Sequence, residues 1–249
     1  MNFHSLLRTT LSFFGLFLIL FISGCYFDFD DDDDNCIEGR GTFVTDVFEF
    51  SEFNRISNSL NAHIRITTGR SNHSVTITAQ NTVLDQINIR TRGGELILES
   101  DRCIHRADLQ IDISLYELTG LFNAGSADVQ GTNVWDADGL TINLSGSGSV
   151  DAILDVIESD VSIAGSGHVD LTGSVENAEI SIAGSGDYEA FGLASEDSDI
   201  TISGSGNADV FVRDELTGSI SGSGRINYKG NPRIVDVTVT GSGRVVNRD

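Results

Sequence analysis

The sequence predicts an all-β fold, a right-handed, single-stranded parallel β-helix of about ten coils. The tripeptide Gly-Ser-Gly recurs six times at intervals of 18 to 20 residues, which is typical of a solenoid whose repeats each form one coil. Apolar and polar residues alternate on both sides of each copy, as in a strand with one buried face. No helical periodicity follows the first 24 residues. The six copies begin at Gly146, Gly165, Gly184, Gly204, Gly222 and Gly241.

The alternation also predicts where each residue of the tripeptide points. In the third copy, Ile182 and Tyr188 have the same parity as both glycines, and Ser185 has the opposite parity. We therefore expect both glycines to point inward, and the serine outward, at a sharp corner where glycine tolerates a positive φ. A flexible Gly-Ser linker is excluded, because β-branched residues of fixed parity flank the copies.

Other kinds of solenoid fit the repeat less well. Leucine-rich repeats need a leucine-rich frame with a helical segment, and calcium-binding nonapeptide repeats need a shorter period. A left-handed hexapeptide helix needs a strict six-residue period, which a spacing of 18 to 20 does not keep. Parallel strands joined by crossovers are right-handed in about 98% of cases, so a right-handed coil is expected.

Residues 1–24 have the features of an export signal. Arg8 precedes an apolar stretch of 14 residues, which is short for a membrane-spanning helix of about 17–25 residues. The following Ile22-Ser23-Gly24-Cys25 resembles the lipobox of bacterial lipoproteins, and this resemblance implies lipid attachment at Cys25. The alternative is an ordinary cleaved signal with an incidental cysteine.

Residues 25–41 are predicted to form an acidic tether. Six aspartates occupy seven positions from Asp28 to Asp34, and such a dense run of like charge repels itself and stays extended. The run resembles the acidic export tract of some surface-displayed Gram-negative lipoproteins. A solvated spacer without sorting information is the alternative.

Residues 42–249 are predicted to form one domain. Strand-like runs near residues 64–69, 75–78, 87–89, 96–98 and 109–113 are expected to continue the solenoid in larger, less regular coils. Cys36 and Cys103 are the cysteines left beside Cys25. Because an exported chain meets oxidising conditions, they are a candidate disulfide, with two free thiols as the alternative.

The charge balance excludes one class of partner. The chain carries 37 acidic and 15 basic residues, for a formal net charge of −22. Nucleic-acid binding needs a basic surface, so no nucleic-acid partner is expected.

A column of acidic residues is predicted three positions after the second glycine of successive copies. Stacked coils would place their side chains about 4.8 Å apart, and oxygen ligands at such spacing suit a hard cation such as Ca²⁺. A solvated acidic face is the alternative, and no other cofactor is expected. The column consists of Asp151, Asp170, Glu189 and Asp209, followed by Asn227.

No catalytic residues are predicted. The repeated serines are expected to form a structural ladder, since no Gly-x-Ser-x-Gly motif is present. The histidines have no metal-ligand spacing along the sequence. A polysaccharide-active enzyme would need paired carboxylates and a basic residue in one place, with Asp170 and Arg225 as the residues to test.

The repeated [Leu/Ile]-x-[Ser/Ala]-Gly-Ser-Gly-x-[Val/Ala]-[Asp/Glu] pattern, after a segment ending in Gly94-Glu95-Leu96-Ile97-Leu98, resembles the auto-transporter adhesin head domain family, the GIN domain. The resemblance covers roughly residues 44–246. It implies a right-handed β-helix and an adhesive role.

The predicted function is that of a non-catalytic binding module in the bacterial cell envelope. We expect an outer-membrane lipoprotein anchored through Cys25, exposed at the surface or facing the periplasm, that binds a glycan or a surface protein. Pairing of coil edges would give a homo-oligomer. The alternatives are a polysaccharide-active enzyme on the same fold and a periplasmic structural scaffold.

Overall fold

The computed structural model describes residues 36–249, so the predicted signal, Cys25 and the aspartate run lie outside the described residues. This part contains eighteen strands and one helical turn, α1 (Asn81–Leu84). The strands are β1 (Ile37–Glu38), β2 (Phe43–Glu49), β3 (Arg55–Asn58), β4 (His63–Thr67), β5 (Ser74–Gln80), β6 (Ile87–Arg92), β7 (Glu95–Ser100), β8 (Ile104–His105), β9 (Gln110–Ser114), β10 (Gly120–Asn123), β11 (Asp128–Gly146), β12 (Ser149–Gly165), β13 (His168–Gly184), β14 (Asp187–Gly204), β15 (Asn207–Gly222), β16 (Arg225–Lys229), β17 (Ile234–Gly241) and β18 (Arg244–Asn247).

The prediction of an all-β solenoid of stacked parallel coils is confirmed. From β10 to β18 each coil pairs in parallel with the next one along the chain. We call the segments that lead into each Gly-Ser-Gly corner face A, and those that leave it face B. Face C follows face B in each coil and includes Val134–Ala137, Ile153–Val156 and Thr172–Val175.

The core is the column of apolar side chains inside the coils. On face A, Leu144, Ile163, Ile182 and Ile202 are buried in register, one above the other. Trp135 and Tyr188 are the largest of the fully buried side chains. Burial of about 25 cal/mol per Å² of apolar surface makes this continuous column the main source of stability.

The predicted number of coils was too high, since the solenoid has about seven turns. The error lies in the N-terminal third, which was expected to consist of further sequential coils. The strands there were located correctly, but β2 and β9 pair antiparallel with β5, and β6 pairs antiparallel with β7. Alternation of apolar residues is the same in parallel and antiparallel strands, so the pattern cannot distinguish them.

The N-terminal coils are also stacked out of sequence order. The early strand β3 lies between β7 and β10, and β4 lies between β9 and β11. The strands β3 and β4 therefore belong to one coil. The following strands β5–β9 form the layers on its N-terminal side, and β10 and β11 continue the stack on its other side. As a result, β2 and β6 are the outermost strands at this end.

The folded part begins earlier than predicted. Residues 37–38 fall within the stretch assigned to the tether, yet β1 pairs in parallel with β8. Beside this pair, a disulfide joins Cys36 to Cys103, whose Cα atoms are 4.7 Å apart. The bond links the start of the described chain to the N-terminal end of the solenoid.

The Gly-Ser-Gly corners differ from the prediction at their first glycine. Gly184 has φ = +127° and is only partly buried, and a Cβ there would lie 2.5 Å from the carbonyl oxygen of Gly165. It therefore points at the backbone of the preceding coil and not into the core. Gly186 does point inward, because a Cβ there would lie 2.5 Å from Cγ2 of the core residue Ile163.

The backbone forms the ladder that was expected of the serines. The amide of Ser185 donates to the carbonyl oxygen of Gly165 at 2.8 Å, and the same bond recurs at the following corners. The exposed hydroxyls contribute less. In the described chain, only Ser223 and Ser242 have a hydroxyl–hydroxyl hydrogen bond within this serine column, at 3.0 Å.

Candidate ligand-binding surface

The acidic column lies on face B. The ladder pairs Asp151 with Asp170, Asp170 with Glu189 and Glu189 with Asp209. Each carboxylate is thus one strand spacing, about 4.8 Å, from the next. Beyond Asp209, the amide of Asn227 donates to an Asp209 carboxylate oxygen at 2.6 Å, so a hydrogen bond ends the column.

A histidine that sequence reasoning did not connect with this column lies beside it. His168 precedes Asp170 by two residues on the same strand face, and Glu189 lies in the next coil. Ligand atoms of these three side chains lie within 4.8 Å of one another. The sequence signal that could have revealed this cluster was the shared parity of His168 and Asp170 on one strand, combined with the 19-residue step from Asp170 to Glu189.

Two kinds of cation could use these groups. The carboxylates alone offer the oxygen ligands that Ca²⁺ prefers. Adding the imidazole of His168 gives a mixed nitrogen and oxygen set, which suits a transition-metal ion such as Zn²⁺.

An acidic groove, which the sequence analysis missed, runs along the edge between faces C and A. Its volume is about 720 Å³. One wall contains Glu158, Asp197 and Glu215, and the other contains Asp160, Glu179 and Asp199. The steps from Asp160 to Glu179 and Asp199 are 19 and 20 residues, so the glycine period could have revealed this column.

The groove offers hydrogen-bond acceptors but no basic group. None of the described residues that line it is Lys, Arg or His. One carboxylate oxygen of Asp197 and the hydroxyl of Ser159 are buried without a hydrogen-bond partner among the described residues. The accessible carboxylates of the groove accept hydrogen bonds, which are strongest from charged donors, so a cationic ligand that donates hydrogen bonds suits this surface.

A smaller groove on face C is acidic as well. It is lined by Asp136, Asp138, Asp155 and Glu176, and its volume is about 430 Å³. The hydroxyl of Ser174 donates to Asp155 at 2.8 Å. Arg213 enters only at one end, where it pairs with Glu196 at 2.8 Å.

Charge is strongly segregated along the chain. Residues 107–212 contain 19 Asp and Glu and no Lys or Arg. The basic residues of the described chain lie on either side of this segment, in 36–106 and 213–249. All carboxylates of the column and most of those in the groove therefore lie in a segment without Lys or Arg, and Glu215 at one end of the groove lies beyond it.

Arg225 and Arg244 do not lie beside the acidic groove. They pair in register in the last two layers of face B, beyond the acidic column. None of the described arginines lines the groove, although Arg233 interacts with Asp197 and Glu215 at one end of it. Paired carboxylates with a nearby basic residue, which a polysaccharide-active site would need, are not assembled by these residues.

Two of the surface ion pairs perturb the pKa of their carboxyl groups. Arg40 donates to Glu38 and lowers the pKa of that carboxyl group. Near the C-terminal end, Arg233 lowers the pKa of Asp214 in the same way. Both pairs are exposed. Glu38 and Arg40 lie two residues apart in one segment, whereas Asp214 and Arg233 join successive coils at the C-terminal end.

No helix in the described residues is long and apolar enough to cross a membrane. No curated protein matches the sequence.

Three solved structures with the same fold come from Bacteroides and Parabacteroides species. "A putative adhesin" from Bacteroides fragilis NCTC 9343 is 25% identical, with a TM-score of 0.81 over 85% of this chain and 100% of that one. A "putative lipid binding protein" from Parabacteroides distasonis ATCC 8503 is 23% identical, with a TM-score of 0.73 over 86% and 99%. "A putative adhesin" from Parabacteroides merdae ATCC 43184 is 21% identical, with a TM-score of 0.69 over 86% and 100%.

The family comparison agrees with the repeat. The model described as "Putative auto-transporter adhesin, head GIN domain" matches residues 52–232, which include five of the six Gly-Ser-Gly corners. This match covers most of the chain and nearly all of the solenoid. The protein belongs to the auto-transporter adhesin head GIN domain family.

Proposed function

We propose that this protein is a non-catalytic, adhesin-type binding module of the bacterial cell envelope. A lipid on Cys25 holds it at the outer membrane, and the aspartate run separates the solenoid from the membrane surface. The acidic coils bind a repetitive partner that carries cationic, hydrogen-bond-donating groups, such as a basic surface protein.

The observation that carries this proposal is the acidic groove, most of which lies in a segment that contains no Lys or Arg. Six carboxylates line it, and none of the described lining residues is basic. A concave surface of one charge raises the local concentration of ligands of opposite charge and accelerates their association. The regular step between coils repeats the same groups, which suits a partner with repeated groups of its own.

Binding to defined polymers tests the proposal. The purified chain is immobilised, and its affinity for poly-lysine, neutral dextran and acidic alginate is measured at several salt concentrations. We expect binding to poly-lysine that weakens with salt, because the attraction is screened. Preference for dextran or alginate would contradict the proposed ligand class.

A matched pair of variants distinguishes binding through the groove from binding through the overall net charge of the protein. The first variant is Glu158→Gln, Asp197→Asn and Glu215→Gln, which neutralises one groove wall. The control is Asp46→Asn, Glu49→Gln and Glu52→Gln, which removes the same charge at the N-terminal end. We expect the first variant to lose at least about tenfold in affinity, or 1.4 kcal/mol, and the control to lose much less. Equal losses would assign the binding to net charge and not to the groove.

A further inference from the structure

The C-terminal end of the solenoid leaves its core open. The last strands, β17 and β18, each pair on one edge only, with β15 and β16. Val239 lies in register with Ile220 on the inward row, but it is 39% exposed where Ile220 is 1% exposed. Val235 on the same row is 44% exposed. An apolar row beside an unpaired strand edge favours association with another chain.

The N-terminal end is built differently. Its outer strand β2 places Asp46 on the inward row, opposite the buried Ile77. An inward-pointing charge at a sheet edge prevents further stacking, because burial of its carboxylate against apolar residues is costly. Asp46 thus interrupts the exposed apolar row that Val44 and Phe48 form on β2, which makes this end the poorer partner for the open C-terminal end.

The charge distribution permits contact between two C-terminal ends. Residues 213–249 contain six Lys and Arg and four Asp and Glu, so their balance is slightly positive. The segment 107–212 contains Asp and Glu but no Lys or Arg. Joining two chains at the C-terminal end keeps the two acidic segments apart and limits their repulsion.

We propose that the C-terminal end binds the C-terminal end of a second copy, with a two-fold axis through the corner at Ser242. This axis places β17 of each copy antiparallel to β18 of the other, so the two free edges complete one ladder. It brings Val239 opposite Val245 of the second copy, both on inward rows. On the outer face, it brings Asp236 opposite Arg248 of the second copy. The contact closes the apolar core as an isologous dimer.

Cysteine crosslinking tests the position of the axis. Ser242→Cys is made in the full chain with Cys25→Ser, so that the engineered thiol is the only one outside the Cys36–Cys103 disulfide. Ser166→Cys, at an exposed serine of an interior corner, is the matched control. Under mild oxidation in detergent, we expect a disulfide-linked dimer from Ser242→Cys only. No dimer from Ser242→Cys, or equal crosslinking of both variants, would overturn the proposal.

A charge swap tests the pairing independently of crosslinking. Sedimentation velocity of the full chain in detergent is expected to show a dimer that is lost with Asp236→Arg and with Arg248→Asp. Combining the two substitutions restores an opposite-charge pair and should restore the dimer. Val239→Lys should also give a monomer, with the burial of Trp135, followed by its fluorescence, unchanged. A chain that is monomeric throughout, or single variants that remain dimeric, would refute the pairing.

Discussion

The two glycines of each corner meet different constraints. The first, as at Gly184, has a positive φ and lies against a backbone carbonyl oxygen of the preceding coil. The second, as at Gly186, lies against a core side chain. Neither glycine position has room for a Cβ. Only the first glycine also has a backbone conformation that other residues adopt with strain.

Gly184→Ala should therefore destabilise the protein far more than Ser185→Ala. The alanine combines a strained φ with a 2.5 Å approach to the Gly165 carbonyl, and we expect a loss of about 3 kcal/mol or more. Ser185 is exposed, so its change should cost less than ~1 kcal/mol. Urea unfolding followed by the fluorescence of Trp135, the sole tryptophan, measures both. A larger loss at Ser185 would contradict the corner geometry.

Tyr188 should make stability depend on alkaline pH. It is fully buried, and burial raises the pKa of its hydroxyl well above the usual value of about 10. Above about pH 10 the unfolded chain ionises this tyrosine while the folded chain keeps it neutral, so stability falls as pH rises. The expected slope is about 1.4 kcal/mol per pH unit.

Tyr188→Phe removes this ionisation and serves as the control. Free energies of unfolding measured at pH 9, 10 and 11 should diverge between the two proteins, with the original chain losing more. Parallel curves would show that the tyrosine ionises equally in both states.

At the scale of the element, the acidic column and its histidine predict an effect of cations. If a Ca²⁺ site has a Kd of about 1 mM, as in many extracellular modules, 10 mM Ca²⁺ should add about 1.4 kcal/mol to the free energy of unfolding. Asp170→Asn and Glu189→Gln should remove the gain. The control Glu176→Gln, on face C, should retain it.

Comparison of metals identifies the ligand set. Stabilisation by Zn²⁺ that is lost in His168→Ala would assign the imidazole as a ligand, whereas stabilisation by Ca²⁺ should survive that substitution. Melting temperatures unchanged by either ion would leave the column as a solvated acidic face.

The element scale also shows where sequence reasoning succeeds. From Gly146 onward the repeat has a fixed period, so the residue one coil away can be counted, and the ladder Asp151–Asp170–Glu189–Asp209 follows directly. Before β10 the spacing is irregular, and neighbours such as β3 and β7 are far apart in sequence. Local alternation carries no information about strand order or direction, so the antiparallel N-terminal end could not be predicted.

The site was predictable to a similar extent. The groove walls repeat with the same period as the glycines, and Asp160, Glu179 and Asp199 could have been aligned by counting. The sequence does not show that these residues face Glu158, Asp197 and Glu215 across the groove. That arrangement depends on how the backbone turns at the corner between faces C and A. The register shift between Ser195 and Asp197 alters the number of residues in that part of the coil, and the sequence pattern does not reveal it.

At the scale of the whole molecule, the charge distribution connects the fold with the proposed role. The acidic coils form the middle of the solenoid, and basic residues are confined to its two ends. A partner of positive charge would therefore meet the middle coils, while the C-terminal end is free to join a second copy. Both contacts can form at once, because they use different surfaces.

The most direct test of an envelope adhesin is protease treatment of intact cells that express the native protein, with a Cys25→Ser variant beside it. Proteinase K is suitable, because trypsin has no cleavage site in residues 107–212. We predict that antibody against the solenoid loses its cell-associated signal after treatment of intact cells, and that Cys25→Ser releases the protein from the membrane fraction. Protection of the solenoid until the outer membrane is opened would contradict the account and indicate a periplasmic scaffold.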